Sequence, residues 1–118
     1  IEPSRGLGDV YKRQDLIGYD DHERVAAYSM AAEFLGFRLL YLEAGSGSRH
    51  PVNPELIKTA RNSCELPIIV GGGIRDAKSA RTAAESGADW IITGNITEEY
   101  DDASELQAVL TDLIEGIR

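Results

Sequence analysis

The sequence predicts an α/β fold, and specifically the C-terminal part of a (β/α)8 TIM barrel. Three short apolar runs alternate with segments of helical periodicity, at a spacing of roughly 25 residues that is typical of βα units. Glycines follow the end of each run. A complete barrel needs about 250 residues, whereas this chain has 118. We therefore expect the last three βα units of a barrel with one preceding helix. A doubly wound sheet is the other architecture that has this rhythm.

The helix that precedes the first βα unit is predicted over residues 22–35. Its apolar side chains recur at helical spacing, and Gly36 is placed to end it. The stripe consists of Val25, Tyr28, Ala31, Ala32 and Leu35. The first strand is predicted over residues 37–42, because this apolar run lacks strict alternation, as in a strand covered on both faces.

The helix of the first βα unit has a strong start signal. Asn53 can cap the helix, and Pro54 suits its first turn. This helix is predicted to run to about Cys64. The second buried strand follows over residues 66–70 and ends in three consecutive glycines.

The helix of the second unit and the whole third unit are predicted from the same kinds of signal. Asp76 can cap a helix that ends near Gly87. A strand follows over residues 88–93, with Trp90 expected in the core. The last helix has the clearest apolar period, at Leu106, Val109, Leu110, Leu113, Ile114 and Ile117.

The chain divides into two regions by composition. Residues 1–14 contain three basic and two acidic side chains and show no periodicity. Residues 9–14 resemble a translated transposon end used in building sequencing libraries. We therefore predict that residues 1–14 are a non-native or disordered segment, which is excluded from functional reasoning. Residues 15–118 are the predicted portion of a barrel domain.

Charge and composition exclude several classes of function. The formal net charge is −8, which argues against binding to nucleic acid or to an acidic membrane surface. No apolar run approaches the roughly 20 residues of a transmembrane helix. Cys64 is the only cysteine, so an internal disulfide and a multi-cysteine metal site are excluded. We expect a cytoplasmic protein without a transmembrane segment.

The candidate chemistry lies where the predicted strands end, which is the active-site face of a barrel. Gly72 and Gly73 follow the second strand, and Gly94 and Asn95 follow the third. Glycine lets backbone N–H groups approach an anion, so these two loops are predicted to bind a phosphate. The alternative is that they are only tight turns between strand and helix.

Residues 41–47 read Tyr-Leu-Glu-Ala-Gly-Ser-Gly and are the most informative segment. Tyr41 and Glu43 are two positions apart on a strand, so they share a face. A carboxylate at a barrel mouth can accept hydrogen bonds from glycerol or sugar hydroxyls and can act as a general base. Ser46, between two glycines, can add a hydroxyl to a phosphate site. A structural ion pair is the alternative role for Glu43.

Three segments together resemble the geranylgeranylglyceryl phosphate synthase family. They are residues 41–47, residues 69–75 (Ile-Val-Gly-Gly-Gly-Ile-Arg) and residues 87–95 (Gly-Ala-Asp-Trp-Ile-Ile-Thr-Gly-Asn). The first segment is quite specific, whereas many phosphate-binding barrels share looser forms of the other two. The resemblance covers residues 19–118.

The resemblance implies a (β/α)8 barrel that joins sn-glycerol 1-phosphate to a prenyl diphosphate and so forms an ether-lipid precursor. Glu43 would be the catalytic residue. The implied glycerol phosphate-binding residues are Tyr41, Leu42, Glu43, Ala44, Gly45, Ser46, Gly47, Gly72, Gly73, Gly94 and Asn95. Mg²⁺ would hold the leaving diphosphate, with its ligands expected on early strands that this chain lacks. Related barrels are often dimers or larger, so a homo-oligomer is expected.

Two alternatives remain open at the level of sequence. One is another phosphate-binding barrel enzyme, such as one from histidine, tryptophan or thiamine synthesis, although those lack the segment at residues 41–47. The other is a non-catalytic half-barrel that binds phosphates or pairs with another copy through an exposed strand edge.

Overall fold

The computed structural model describes Gly18 and residues 20–44 and 49–118. These residues form one parallel sheet of three strands, β1 (Leu40–Glu43), β2 (Ile68–Gly71) and β3 (Trp90–Ile92), in that order. The helices are α1 (His22–Phe34), α2 (Pro54–Ser63), α3 (Ala77–Ser86) and α4 (Ala103–Gly116), with a short 3₁₀ helix, Asn95–Glu98, between β3 and α4.

The helices cover one face of the sheet. They pack in chain order, with α1 against α2, α2 against α3 and α3 against α4. Along β1, Leu40 and Leu42 are buried, whereas Tyr41 and Glu43 are only half-buried. Strands in chain order with helices on one side are the winding of a barrel, because a doubly wound sheet reverses its strand order and carries helices on both faces.

Local signals set the ends of the helices. The Asn53 side chain accepts a hydrogen bond from the Glu55 amide at 3.0 Å, and Asp76 accepts one from the Ser79 amide at 2.7 Å. Gly36 has a φ of +84°, and the Phe37 amide donates to the Ala32 carbonyl at 3.0 Å. This is the left-handed end that was predicted for α1.

The core lies between the sheet and the helices. Its most fully buried large side chains include Val25 from α1, Ile57 from α2, Ile68 and Val70 from β2, and Ile96 from the 3₁₀ helix. Ile96 therefore anchors the connection that follows β3, next to the end of the sheet where the candidate site lies.

The first strand begins later than predicted. The run from residue 37 was expected to be extended, but the Phe37 amide bonds to Ala32 at the end of α1 and Phe37 itself is exposed. The ladder starts only at Leu40, whose amide donates to the Pro67 carbonyl at 2.9 Å. The strand then continues to Glu43, one residue beyond the predicted end.

The buried stripe of α1 also differs from the prediction. Val25 is buried, but Tyr28 and Leu35 are exposed, and Ser29 is fully buried instead. Ser29 tolerates burial because its hydroxyl donates to the Val25 carbonyl at 2.7 Å. The buried face thus follows residues 25, 29 and 32.

Trp90 is not in the core of this chain. It is 67% exposed, and Ile92, on the same face of β3, is 45% exposed. The sequence pattern identified both as strand residues but could not show that they point away from the helices.

None of the helices in the described ranges has the length and apolar character needed to cross a membrane.

Candidate functional site

A cavity of about 90 Å³ opens at the carboxyl ends of the three strands; we call it the strand-end cavity. It is lined by residues that follow or end all three strands: Tyr41, Glu43, Gly72, Gly73, Ile74, Arg75, Ile92, Thr93, Gly94 and Ile96. The structure therefore brings together five of the residues singled out from the sequence, which are Tyr41, Glu43, Gly72, Gly73 and Gly94.

Tyr41 and Glu43 form a hydrogen-bonded pair in the cavity wall. They project from the same face of β1, and the Tyr41 hydroxyl donates to Oε2 of Glu43. In the parallel ladder Glu43 lies beside Gly71, which in turn lies beside Ile92. The pair thus presents a phenol and a carboxylate at the mouth of the sheet, where hydroxyl groups of a small ligand can be bound.

The loop after β2 needs glycine for two reasons. Gly72 and Gly73 have φ values of +86° and +74°, a region that other residues rarely adopt. A Cβ atom on Gly73 would also lie 2.6 Å from backbone atoms of His50 and Pro51. The loop after β2 therefore packs directly against the connection between β1 and α2.

An ion pair connects the loop after β2 to the end of the 3₁₀ helix. Nε of Arg75 lies 2.8 Å from Oε1 of Glu99, and both side chains are partly exposed. Sequence reasoning did not single out Arg75, although it is the first cation after the three glycines. Thr93 and Ile92 were also missed as lining residues, because their side of β3 depends on the strand register.

The connection after β3 turns at Gly94 into the 3₁₀ helix that Asn95 begins. The Thr97 hydroxyl donates to the Gly94 carbonyl at 2.8 Å and holds this turn. A Cβ atom on Gly94 would meet no atom within 4 Å, so its position adjoins open space. In βα barrels, loops after the last strands with a short extra helix are a frequent site for phosphate.

The other sequence-predicted residues lie apart from the cavity wall or outside the described residues. The Leu42 side chain is buried in the core, on the helix side of β1. The Ala44 amide donates to the Gly71 carbonyl at 3.0 Å and extends the sheet. Gly45, Ser46 and Gly47 lie outside the described residues.

Asp76, just beyond the β2 loop, has a lowered pKa. Its carboxylate accepts hydrogen bonds from the Ser79 hydroxyl and the Ser79 amide, which favour the charged form. Since these bonds are those of a helix cap, we interpret Asp76 as a structural residue.

Within residues 20–44 and 49–118, no group of three or more His, Cys, Asp or Glu side chains could hold a metal ion. These residues do not fit the Mg²⁺ site that the resemblance implies. The expectation that its ligands lie elsewhere stays a prediction.

A singly wound parallel sheet with glycine loops around a strand-end cavity is the arrangement of a βα-barrel protein, a class in which such loops are a frequent site for phosphate. Comparison with known proteins identifies the group within this class: the chain belongs to the PcrB family, whose profile matches residues 1–113. The match includes residues 1–14, and their non-native origin stays a prediction.

The curated relatives are geranylgeranylglyceryl phosphate synthases. The protein from Saccharolobus solfataricus is 51% identical over 83 residues, which cover 70% of this chain and 32% of that protein. The protein from Thermococcus gammatolerans is 46% identical over 118 residues, which cover all of this chain and 46% of that protein. The chain thus spans less than half the length of these relatives.

A solved structure shares the fold. The synthase from Thermoplasma acidophilum, crystallised in complex with its substrate sn-glycerol-1-phosphate, matches 99% of this chain and 46% of that chain, with a TM-score of 0.84 and 38% identity. The prediction of consecutive βα units from a (β/α)8 barrel is confirmed, and so is the family resemblance. The family match also decides against other phosphate-binding barrel enzymes.

Proposed function

We propose that this chain carries the glycerol phosphate half-site of a prenyltransferase. The enzyme would join a prenyl diphosphate to sn-glycerol 1-phosphate and form an ether-lipid precursor. The observation that carries the proposal is the convergence of the Tyr41–Glu43 pair and three glycine-loop residues, Gly72, Gly73 and Gly94, on one cavity. The relative from Thermoplasma acidophilum, which binds sn-glycerol-1-phosphate, supports it.

The two ends of the acceptor need different partners, and the cavity offers both. Backbone N–H groups at Gly72, Gly73, Gly94 and Asn95 are suited to a phosphate, since glycine allows close approach of the main chain. The Glu43 carboxylate is suited to glycerol hydroxyls, because it accepts hydrogen bonds from them. We assign Gly45, Ser46 and Gly47 to the phosphate as well, and Leu42 and Ala44 to the site through their main chain.

The proposed reaction is a substitution at the allylic carbon of the prenyl chain. A glycerol hydroxyl oxygen forms a bond to that carbon, while the bond from the carbon to the diphosphate oxygen breaks and its electron pair leaves with the diphosphate. The hydroxyl proton passes to Glu43 as general base. Holding the hydroxyl in line with the allylic carbon contributes several kcal/mol to lowering the barrier.

The remaining parts of the proposal concern the whole enzyme. Mg²⁺ is the proposed cofactor for the diphosphate, and the described residues offer no group of side chains that could hold it. We propose a cytoplasmic homo-oligomer, which cell fractionation and sedimentation would check. A non-catalytic half-barrel stays the alternative for the chain on its own.

The proposal is tested in a chimera that places residues 15–118 of this chain in the matching region of the Thermococcus gammatolerans synthase, which aligns with all 118 residues. We expect the chimera to condense sn-glycerol 1-phosphate with geranylgeranyl diphosphate. Glu43→Gln keeps the size of the side chain and removes its charge, so kcat/KM should fall by about 10²–10⁴. Steady-state kinetics with both substrates varied gives the result.

The control is Glu105→Gln, which changes an exposed carboxylate on α4 and should leave kcat/KM unchanged. A folded chimera without condensation activity would count against the proposed function. Unchanged kcat/KM in Glu43→Gln would leave Glu43 with a structural role only.

A further inference from the structure

The end of β2 contains a glycine whose purpose the backbone does not explain. Gly71 is buried and pairs with Glu43 on one side and Ile92 on the other. The glycines with positive φ in the described residues are Gly36, Gly72, Gly73 and Gly87. Gly71 is not among them, so any residue could adopt its backbone conformation. The reason for glycine at this position must be space.

The Tyr41–Glu43 pair occupies the space that a side chain on residue 71 would need. A Cβ atom built on Gly71 would lie 2.8 Å from the Tyr41 hydroxyl oxygen, 3.3 Å from Cε1 of Tyr41 and 3.4 Å from Oε2 of Glu43. Two of these atoms form the hydrogen bond between Tyr41 and Glu43, and the third belongs to the Tyr41 ring. The first distance is far shorter than an ordinary carbon–oxygen contact, so the hydroxyl would have to move.

We propose that Gly71 is a positioning residue for Glu43, which acts by leaving room for the Tyr41 hydroxyl on the carboxylate. This inference rests on the proposed function in one respect, that Glu43 binds the glycerol hydroxyls. A hydrogen bond to one carboxylate oxygen limits rotation of the carboxylate and aims it toward the cavity. A side chain at residue 71 would push the phenol off the carboxylate and leave the carboxylate without this hydrogen bond.

The location of Gly71 explains why substitution should affect the site and not the sheet as a whole. Its main chain takes part in the ladder, and the Ala44 amide donates to the Gly71 carbonyl at 3.0 Å. Alanine keeps these bonds, because it changes no main-chain group. The clash is confined to the end of a flexible Tyr41 side chain, which can swing away at small cost to folding.

The test uses Gly71→Ala, Tyr41→Phe and the double variant of this chain. The first measurement is the ring Cζ resonance of Tyr41 in the ligand-free protein, assigned by its loss in Tyr41→Phe. The second is the affinity for sn-glycerol 1-phosphate by calorimetry. We expect Gly71→Ala to shift the Tyr41 resonance and to weaken binding about tenfold, the scale of one hydrogen bond.

Tyr41→Phe removes the hydroxyl oxygen, which is the atom nearest to a Cβ on residue 71. Gly71→Ala should therefore weaken binding less than twofold in the Tyr41→Phe background, which a purely packing role for Gly71 would not produce. Gly18→Ala is the matched control: the nearest atom to its added Cβ is 3.8 Å away, so both measurements should equal those of the parent.

The outcomes separate this inference from the proposed function. An unchanged Tyr41 resonance in Gly71→Ala, or equal loss of binding in both backgrounds, would overturn the positioning role. If Gly71→Ala does not fold, we expect the double variant with Tyr41→Phe to fold. A double variant that also fails to fold would overturn the positioning role. Absence of binding by the parent chain, with the resonance still shifted by Gly71→Ala, would count against the proposed function alone.

Discussion

Asp76 shows how a single side chain contributes to stability next to the site. Its carboxylate accepts two hydrogen bonds of 2.7 Å from Ser79, one from the amide and one from the hydroxyl, and its pKa is lowered. A group whose pKa is lower in the folded state stabilises the fold above its usual pKa of 3.8. That contribution is lost as the pH falls through the folded-state value.

We therefore expect Asp76→Ala to lower the free energy of unfolding by about 1 kcal/mol at pH 7, the usual cost of losing a helix cap. The difference between parent and variant should shrink as the pH falls below 4 or so, because protonation removes the charged acceptor. Urea unfolding at a series of pH values measures both. Asp112→Ala, an exposed change on α4, serves as the control, and a pH-independent difference would contradict the role of the charge.

At the scale of elements, Arg61 ties the end of α2 to the starts of two strands. Its guanidinium donates to the carbonyls of Cys64 at 3.0 Å and Leu66 at 2.7 Å, and to Oδ2 of Asp89 at 3.0 Å. The same Asp89 oxygen accepts from the Ile68 amide at 2.9 Å. One planar side chain thus connects a helix, β2 and β3 through donors in three directions.

We expect Arg61→Lys to lower the free energy of unfolding by about 2 kcal/mol, even though the charge is kept. A lysine ammonium cannot match the fixed fork of a guanidinium, and hydrogen bonds that involve a charged group are worth about 1.5–3 kcal/mol. Chemical denaturation gives the value. The Arg81 side chain donates to one carbonyl, that of Gly116, at 3.0 Å, so Arg81→Lys should lower the free energy of unfolding by less. An equal loss of stability at both positions would contradict the role proposed for the Arg61 hydrogen bonds.

The helix caps and the shared face of Tyr41 and Glu43 on β1 were predictable, because both follow from short-range rules. Asn53, Asp76 and Gly36 act within a few residues of themselves, and parallel strands always bring their carboxyl ends to one edge. The start of β1 was not predictable, since the Phe37 amide bonds to the end of α1 instead of to β2. Gly71 and the Arg75–Glu99 pair were missed for a related reason: each depends on how separate units lie side by side.

At the scale of the whole molecule, one face of the sheet is covered and the other is open. Trp90 and Ile92 are 67% and 45% exposed on the face that points away from the helices. Exposed apolar surface of this kind usually marks a contact with other protein. In a complete (β/α)8 barrel the face of the sheet opposite the helices points inward, and this chain spans 46% of the solved relative from Thermoplasma acidophilum.

We therefore expect this chain by itself to associate with a second copy through the open face, in a concentration-dependent way. Ile92→Thr should weaken the association about tenfold, since burial of an isoleucine side chain is worth about 1.5–3 kcal/mol and threonine retains part of it. Sedimentation equilibrium measures the association, and acrylamide quenching of the single tryptophan, Trp90, should fall as the concentration rises. Ile114→Thr changes an isoleucine that is 53% exposed on α4, so it should leave the association unchanged. An equal effect of both substitutions would locate the contact elsewhere, because Ile92 is the one of these two isoleucines that lies on the open face.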